Sequence, residues 1–276
     1  MLVGHCAIAL AGKRAEPALS LGTLMTAAVF SDLLGFVLIL FGVEHWTLKP
    51  GNAGINAVDL DRIAWSHGLL PDLLWAALFA GGYFLWRRHA SAAWILFAAV
   101  ISHWVLDFIS HRADMPITPG LTARFGLGLW TSVPATLVVE GLLWLIAIAI
   151  YVGATRSTKR AGIYVFWAMI AFLTLSWMNN IMATPPAGSL SAAAIASLSF
   201  FLLLVAWAFW MDSARKPAVN GASSPTWWSS PGTRPAAARR RDGSCATASA
   251  DTSRDRLRPE AAPHRRHRGG NAPRRY

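Results

Sequence analysis

The sequence predicts an all-α fold, a polytopic transmembrane helix bundle. Hydrophobic residues make up 54% of its 276 positions and charged residues only 14%, where a soluble domain carries about 25% charge. Mean hydropathy is positive, at +0.40. Six apolar stretches also reach the length a helix needs to cross hydrocarbon, about 20 residues. A surface this poor in ions does not coat a water-soluble globule.

The six stretches are 18–42, 68–86, 91–109, 130–152, 162–182 and 191–211. They are continuous and rich in Leu, Ala and Trp rather than alternating, so helices are expected and barrel strands are not. The opening MLVGHCAIAL is too short to span and lacks a basic stretch before its apolar run. It reads as a short interfacial or re-entrant helix, not a signal peptide.

Charge divides the chain in two. Residues 1–212, the transmembrane domain, hold 11 Lys+Arg against 10 Asp+Glu, whereas residues 213–276 hold 14 against 4. Nearly all of the net +11 therefore belongs to an Arg-, Pro- and Ala-rich tail, and the high isoelectric point says little about the body. The two cysteines, Cys6 and Cys245, sit at opposite ends, so neither a disulfide framework nor a cysteine zinc site is indicated.

Basic residues set the expected orientation. Lys13 and Arg14 precede the first span, Arg87 and Arg88 join the second to the third, and Arg156, Lys159 and Arg160 join the fourth to the fifth. With six spans these segments and the tail share one side, and positive residues collect in the cytoplasm. Both termini are thus expected there, in a multi-pass plasma membrane protein. Trp46, Trp65, Trp86, Trp130 and Trp210 fall near span ends and read as interfacial anchors. The segment ATPPAG at 183–188 reads as a turn. Segment 110–129, with Pro116 and Pro119, reads as a structured outer loop able to cover a cavity.

Ionisable groups within the apolar runs point to function, because each costs about 3 kcal/mol or more in a membrane. Asp32 lies inside the first span, His103 and Asp107 inside the third and Glu140 inside the fourth, while His67 and Asp72 lie at the start of the second. His103, Asp107 and His111 are spaced i, i+4, i+8 and share one helical face. An imidazole and a carboxylate one turn apart can hold a metal ion or bond to each other, and spacing leaves both open. Counting residues from the basic side, Asp32 and His103 reach similar depths. Asp32, His67, His103 and Asp107 could then meet in one cavity open to the opposite side. His5 precedes Lys13 and Arg14, so its expected place is on the basic side unless the first ten residues fold back. Glu140 reads either as a further inward ligand or as a partner for Arg112 or Arg124.

The strings LVGHCAIALAGKR, FSDLL, WSHGLL and SHWVLDFISHRADMPITPG followed by GLGLW resemble a bacterial family of small integral membrane proteins. These are the YdjM-like, LexA-binding, inner-membrane-associated hydrolases, also called membrane-bound metal-dependent hydrolases. The resemblance covers roughly residues 1–155, and its most specific part is S-H-W-x-L-D-x-x-x-H-R-x-D-x-P. It implies His5, Asp32, His67, His103 and Asp107 as metal ligands, and His5 enters by this route alone. Where the family has Leu-Pro-Asp after its first helix, this chain reads Phe-Ser-Asp at 30–32. A Leu-Pro-Asp occurs instead at 70–72, which makes Asp72 a secondary catalytic candidate.

The expected activity is metal-dependent hydrolysis. A divalent ion, zinc by its mixed imidazole and carboxylate donors, would activate water, and an unligated carboxylate such as Glu140 would take the proton. A pocket near the membrane surface makes a lipid-like ester the natural substrate class. Two other functions stand beside it: proton or metal translocation through the same residues, and a non-catalytic bundle whose polar groups lock helices together. The tail is too poor in apolar residues to fold. It is expected to meet anionic membrane lipid and no specific nucleic acid.

Overall fold

The computed structural model of the chain describes residues 1–48, 58–182 and 189–218. The turn expected at 183–188 and the tail beyond 218 lie outside these residues. The described part is built mainly from α1 (Leu2–Ala15), α2 (Leu21–Ala28), α3 (Phe30–Leu40), α4 (Leu69–Arg87), α5 (Ala90–Ser110), α6 (Val133–Ala154), α7 (Arg160–Met182) and α8 (Leu190–Ala214). Helices α4 to α8 are each long and apolar enough to cross a membrane, and α2 with α3 makes a sixth crossing if the pair counts as one. Their outward faces expose Leu74, Trp94, Leu145, Trp167 and Leu203. That apolar belt is what lipid, not water, accommodates.

Two features bear on the sequence expectation. The stretch 18–42 is not one helix but two, bent by 57° at Val29. No Gly or Pro marks the break. The carbonyl of Ala28 takes a side-chain donor from His103 instead, and a broken helix persists in a membrane when neighbours satisfy its freed backbone groups. The opening segment is the short helix expected, but of the two places open to it, interfacial or re-entrant, it takes the one inside the bundle. It continues through Ala15 as α1, with Val3, Cys6, Ala9 and Leu10 fully buried and α2, α5 and α6 packed around it.

Apolar packing explains the rest of the core. Leu10, Leu24, Met25, Leu96, Phe166, Met169, Leu173 and Leu204 are enclosed where α1, α2, α5, α7 and α8 meet. At one end of the bundle, Asp212 of α8 accepts from the backbone N–H groups of Leu21 (3.0 Å) and Gly22 (3.2 Å). These are among the donors left unpaired at the start of α2. The buried Lys13 of α1 lies 3.5 Å from the same carboxylate. Ser91, at the start of α5, donates to Glu16 at 2.6 Å. The basic residues in the last turn of α1, between α4 and α5 and after α6 therefore gather at this end.

Three short antiparallel ladders among the described residues pin the connections; two lie in stretches read as loop, and the third takes residues 215–217 from the stretch expected to be disordered tail, which starts later than residue 213. β1 (His45–Leu48) pairs with β2 (Val58–Arg62), β3 (Met115–Pro116) with β4 (Arg124–Phe125), and β5 (Thr155–Ser157) with β6 (Arg215–Pro217). The first two lie at the end opposite Lys13. There the backbone N–H groups of Leu127 and Gly128 donate to the carbonyls of Phe108 and His111. Gly126 is required at this crossing: its φ is +158, and a Cβ would stand 2.0 Å from the carbonyl oxygen of Arg112.

Candidate metal centre

Four elements bring the ionisable groups together. Asp32 occupies the first turn of α3, immediately past the bend, and His103 and Asp107 lie one turn apart on α5. His67 precedes the start of α4, and His5 arrives on α1. His67 Nε2 lies 3.6 Å from Asp32 Oδ1, and His103 Nε2 lies 3.7 Å from that atom and 3.3 Å from Asp107 Oδ2. The rings of His67 and His103 meet edge to face at 5.3 Å. His103 thus meets Asp32 and His67 on one side and Asp107 on the other, at the common depth that the count of residues implied.

The separations say what such a cluster can do. They exceed the usual 2.7–3.2 Å of an N–H···O hydrogen bond. They are close to the spacing of about 3.3 Å between donors placed tetrahedrally around an ion at about 2.0–2.1 Å. His103 adds a chemical constraint. Its Nδ1 lies 3.0 Å from the carbonyl oxygen of Ala28, which can only accept, so Nδ1 carries the hydrogen. In the neutral ring Nε2 is then a bare lone pair. It is buried and makes no hydrogen bond of acceptable geometry among the described residues. Two carboxylates facing that lone pair call for a positive charge between them, supplied either by a metal ion or by a proton on Nε2.

Two groupings could hold a metal, Asp32–His67–His103 and His5–His103–Asp107, each with its donor atoms within 4.8 Å of one another. His103 belongs to both but has one nitrogen to give. His5 is held more tightly than the others. Its Nε2 is 3.1 Å from Asp107 Oδ1 and 3.0 Å from the α-amino nitrogen of Met1, which itself lies 2.8 Å from Asp107 Oδ1. Its ring stacks on that of His103 at 3.7 Å, with the planes 2° apart. The expectation that put His5 on the basic side is corrected by α1. Only the end of that helix bearing Lys13 and Arg14 lies there, and the eight residues back to His5 carry it about 12 Å inward.

The remaining candidates stand outside both groupings. Asp72 is fully buried, and its Oδ1 accepts from Ser31 Oγ at 2.7 Å while Oδ2 has no partner among the described residues. Buried Glu140 accepts from Trp130 Nε1 at 2.7 Å through Oε1, and Oε2 has no such partner. Trp130, an expected interfacial anchor, therefore also serves a buried carboxylate. His111 leaves the face it was predicted to share with His103. α5 ends at Ser110, and extended backbone at His111 turns the ring to Asp114 (3.3 Å) and onto Trp130 (4.6 Å).

The sequence reading missed three residues that bear on the site. Glu44 is fully buried, with Oε1 accepting from the backbone N–H groups of Trp65 (2.7 Å) and Ser66 (2.9 Å). Its Oε2 lies 2.6 Å from Ser66 Oγ, which lies 2.7 Å from His67 Nδ1. Gly35 makes room for this arrangement: a Cβ there would stand 3.0 Å from Ser66 Oγ and 3.2 Å from His67 Cε1. The Ser-His pair inside WSHGLL was the available signal, and nothing marked Glu44 apart from other loop acids. No protein-family model, curated protein or solved structure matches the chain.

Proposed function

We propose that this is a membrane enzyme that holds one divalent ion, zinc by donor type, between Asp32, His67 and His103, with Asp107 as the fourth donor, and that it hydrolyses a lipid-like ester. The observation that carries the reading is His103: a buried Nε2 without a hydrogen bond, facing two carboxylates at 3.3 and 3.7 Å. A bound zinc ion would supply Lewis-acid polarisation of the ester carbonyl and would lower the pKa of water to about 7. The chain's own residues do the rest. Asp32, the most open of the group with its side chain 20% exposed, gives onto the approach route. His5 orients Asp107 rather than binding the ion. Asp72 and Glu140 each keep a buried carboxylate oxygen unbonded among the described residues and are the candidate proton acceptors.

The resemblance to membrane-bound metal-dependent hydrolases supports the same reading. By the distribution of basic residues, the end of the bundle bearing Lys13 faces the cytoplasm of a bacterial-type plasma membrane, and the basic tail rests on anionic lipid there. The test is hydrolysis of ester-bearing lipids in mixed micelles. Zinc-loaded protein should cleave them, chelator-stripped protein should not, and added zinc should restore the rate. Cleavage untouched by chelation would remove the metal from the mechanism.

One observation favours a second reading. The broken pair α2–α3, with Asp32 just past the break, is also how transporters build cation sites. Zinc or proton flux into proteoliposomes that disappears in Asp32→Asn would support it over hydrolysis.

A further inference from the structure

We infer that Glu44 and Ser66 are positioning residues that fix the tautomer of His67, holding its hydrogen on Nδ1 so that Nε2 presents a lone pair to the centre. The inference deepens the metal reading and rests on it for its consequence, although the tautomer itself follows from hydrogen bonding alone.

The order of donors is set from the carboxylate inward. Glu44 Oε1 is committed to two backbone N–H groups, at 2.7 and 2.9 Å. As a carboxylate Glu44 only accepts, so the short 2.6 Å contact to Oε2 is a bond donated by Ser66 Oγ. The serine has one hydrogen and has now used it. The 2.7 Å contact between Ser66 Oγ and His67 Nδ1 must then be donated by the ring. In the neutral ring Nε2 is then left bare, 3.6 Å from Asp32 Oδ1. Glu44 and Ser66 are fully buried, so water does not compete for these bonds. Partners behind a ligating histidine orient the ring and set which nitrogen is free, and removing them costs about 10–100-fold in metal affinity.

Glu44→Gln reverses the chain without changing its shape. The amide oxygen must take the side with the two backbone donors, which turns the amide NH2 toward Ser66 Oγ. The serine hydrogen, with no other acceptor among the described residues, must then go to His67 Nδ1. This moves the ring hydrogen to Nε2, where it blocks coordination. Removing the hydroxyl as well frees the ring to choose its tautomer. Glu44→Gln should therefore be worse than the double variant Glu44→Gln/Ser66→Ala, an order that a merely structural role for Glu44 does not produce.

The experiment measures Zn2+ affinity of the purified full chain by competition with a chelator. It is paired with 15N spectra of ring-labelled histidine in the metal-free protein, with His67 assigned from the His67→Gln spectrum. The expected results are Nδ1–H in the wild type, Nε2–H in Glu44→Gln, a zinc affinity about 10–100-fold weaker in Glu44→Gln, and partial recovery in the double variant. Wild-type His67 carrying its hydrogen on Nε2, or Glu44→Gln binding zinc as the wild type does, would overturn the inference. If the wild type binds no zinc the metal reading falls, and the spectra still decide the tautomer. If Glu44→Gln does not fold, the wild-type spectrum and Ser66→Ala, expected to lose the single Nδ1–H form, decide it.

Discussion

His103 Nδ1 lies 3.0 Å from the carbonyl oxygen of Ala28, the last residue of α2 before the chain bends by 57° into α3. The bend releases a carbonyl from its helical partner, and the histidine satisfies it. In return the carbonyl fixes the hydrogen of the ring and turns Nε2 toward Asp32 and Asp107. The break and the candidate centre are therefore a single arrangement, and disturbing either end should be felt at the other.

His103→Ala removes a ligand and leaves the Ala28 carbonyl buried without a donor, which costs about 1–3 kcal/mol. Asp32→Asn removes a ligand alone. Both variants should lose zinc, but in thermal unfolding of the metal-free proteins in detergent only His103→Ala should fall clearly below the wild type. Equal stability of the two would break the link between the bend and the ring.

The four proposed ligands should separate from the neighbouring groups. His67→Gln is expected to lose zinc, whereas His5→Gln should weaken binding by no more than about tenfold, the lower end of what an orienting partner contributes. Glu140→Gln, bonded to Trp130 and outside both groupings, should keep zinc while losing activity if it accepts the proton. Equilibrium zinc binding to the three variants checks this. A loss in His5→Gln as large as in His67→Gln would move the ion toward the His5–His103–Asp107 grouping.

Gly35→Ala would place a methyl 3.2 Å from His67 Cε1 and 3.0 Å from Ser66 Oγ. Ser66 is held by Glu44 and has little freedom to retreat, so an overpacking cost of about 1–3 kcal/mol is expected. Thermal unfolding should show the loss, and zinc affinity should fall with it. A variant with unchanged stability and affinity would show that the pocket has slack.

How much of this was legible depends on contrast. Asp32, His103 and Asp107 stand out because a charge inside an apolar run is costly and rare, and counting residues from the basic side brought them to a common depth. His67 was visible at a span mouth for the same reason. His5 was not, since its place depends on α1 running into the bundle, which a stretch of ten apolar residues does not announce. Glu44 was hidden in a loop where acids are ordinary, and its role appears only when the loop returns Ser66 to it. The break at Val29 left no local mark because a tertiary donor, His103, supports it. Asp32, beyond that break, was nonetheless found, because its charge does not depend on whether the helix is straight.

Asp212 and Lys13 offer a test of the bundle away from the centre. Asp212→Ala removes the acceptor for the Leu21 and Gly22 N–H groups and leaves the buried Lys13 without its carboxylate, at an expected cost of about 1–3 kcal/mol. Lys13→Met added to Asp212→Ala should recover part of the loss, because the uncompensated cation is gone. Unfolding of the two single variants and the double checks the coupling, and strict additivity would remove it.

The most direct measurement is elemental analysis of the purified full chain, equilibrated with zinc and freed of excess, beside His103→Ala and Asp107→Ala. One zinc per wild-type chain, lost in both variants, is the result expected if side chains from separate helices close around a cation. A wild type without zinc, or variants that retain it in full, would contradict that claim and leave a helical bundle whose buried His and Asp residues serve only each other.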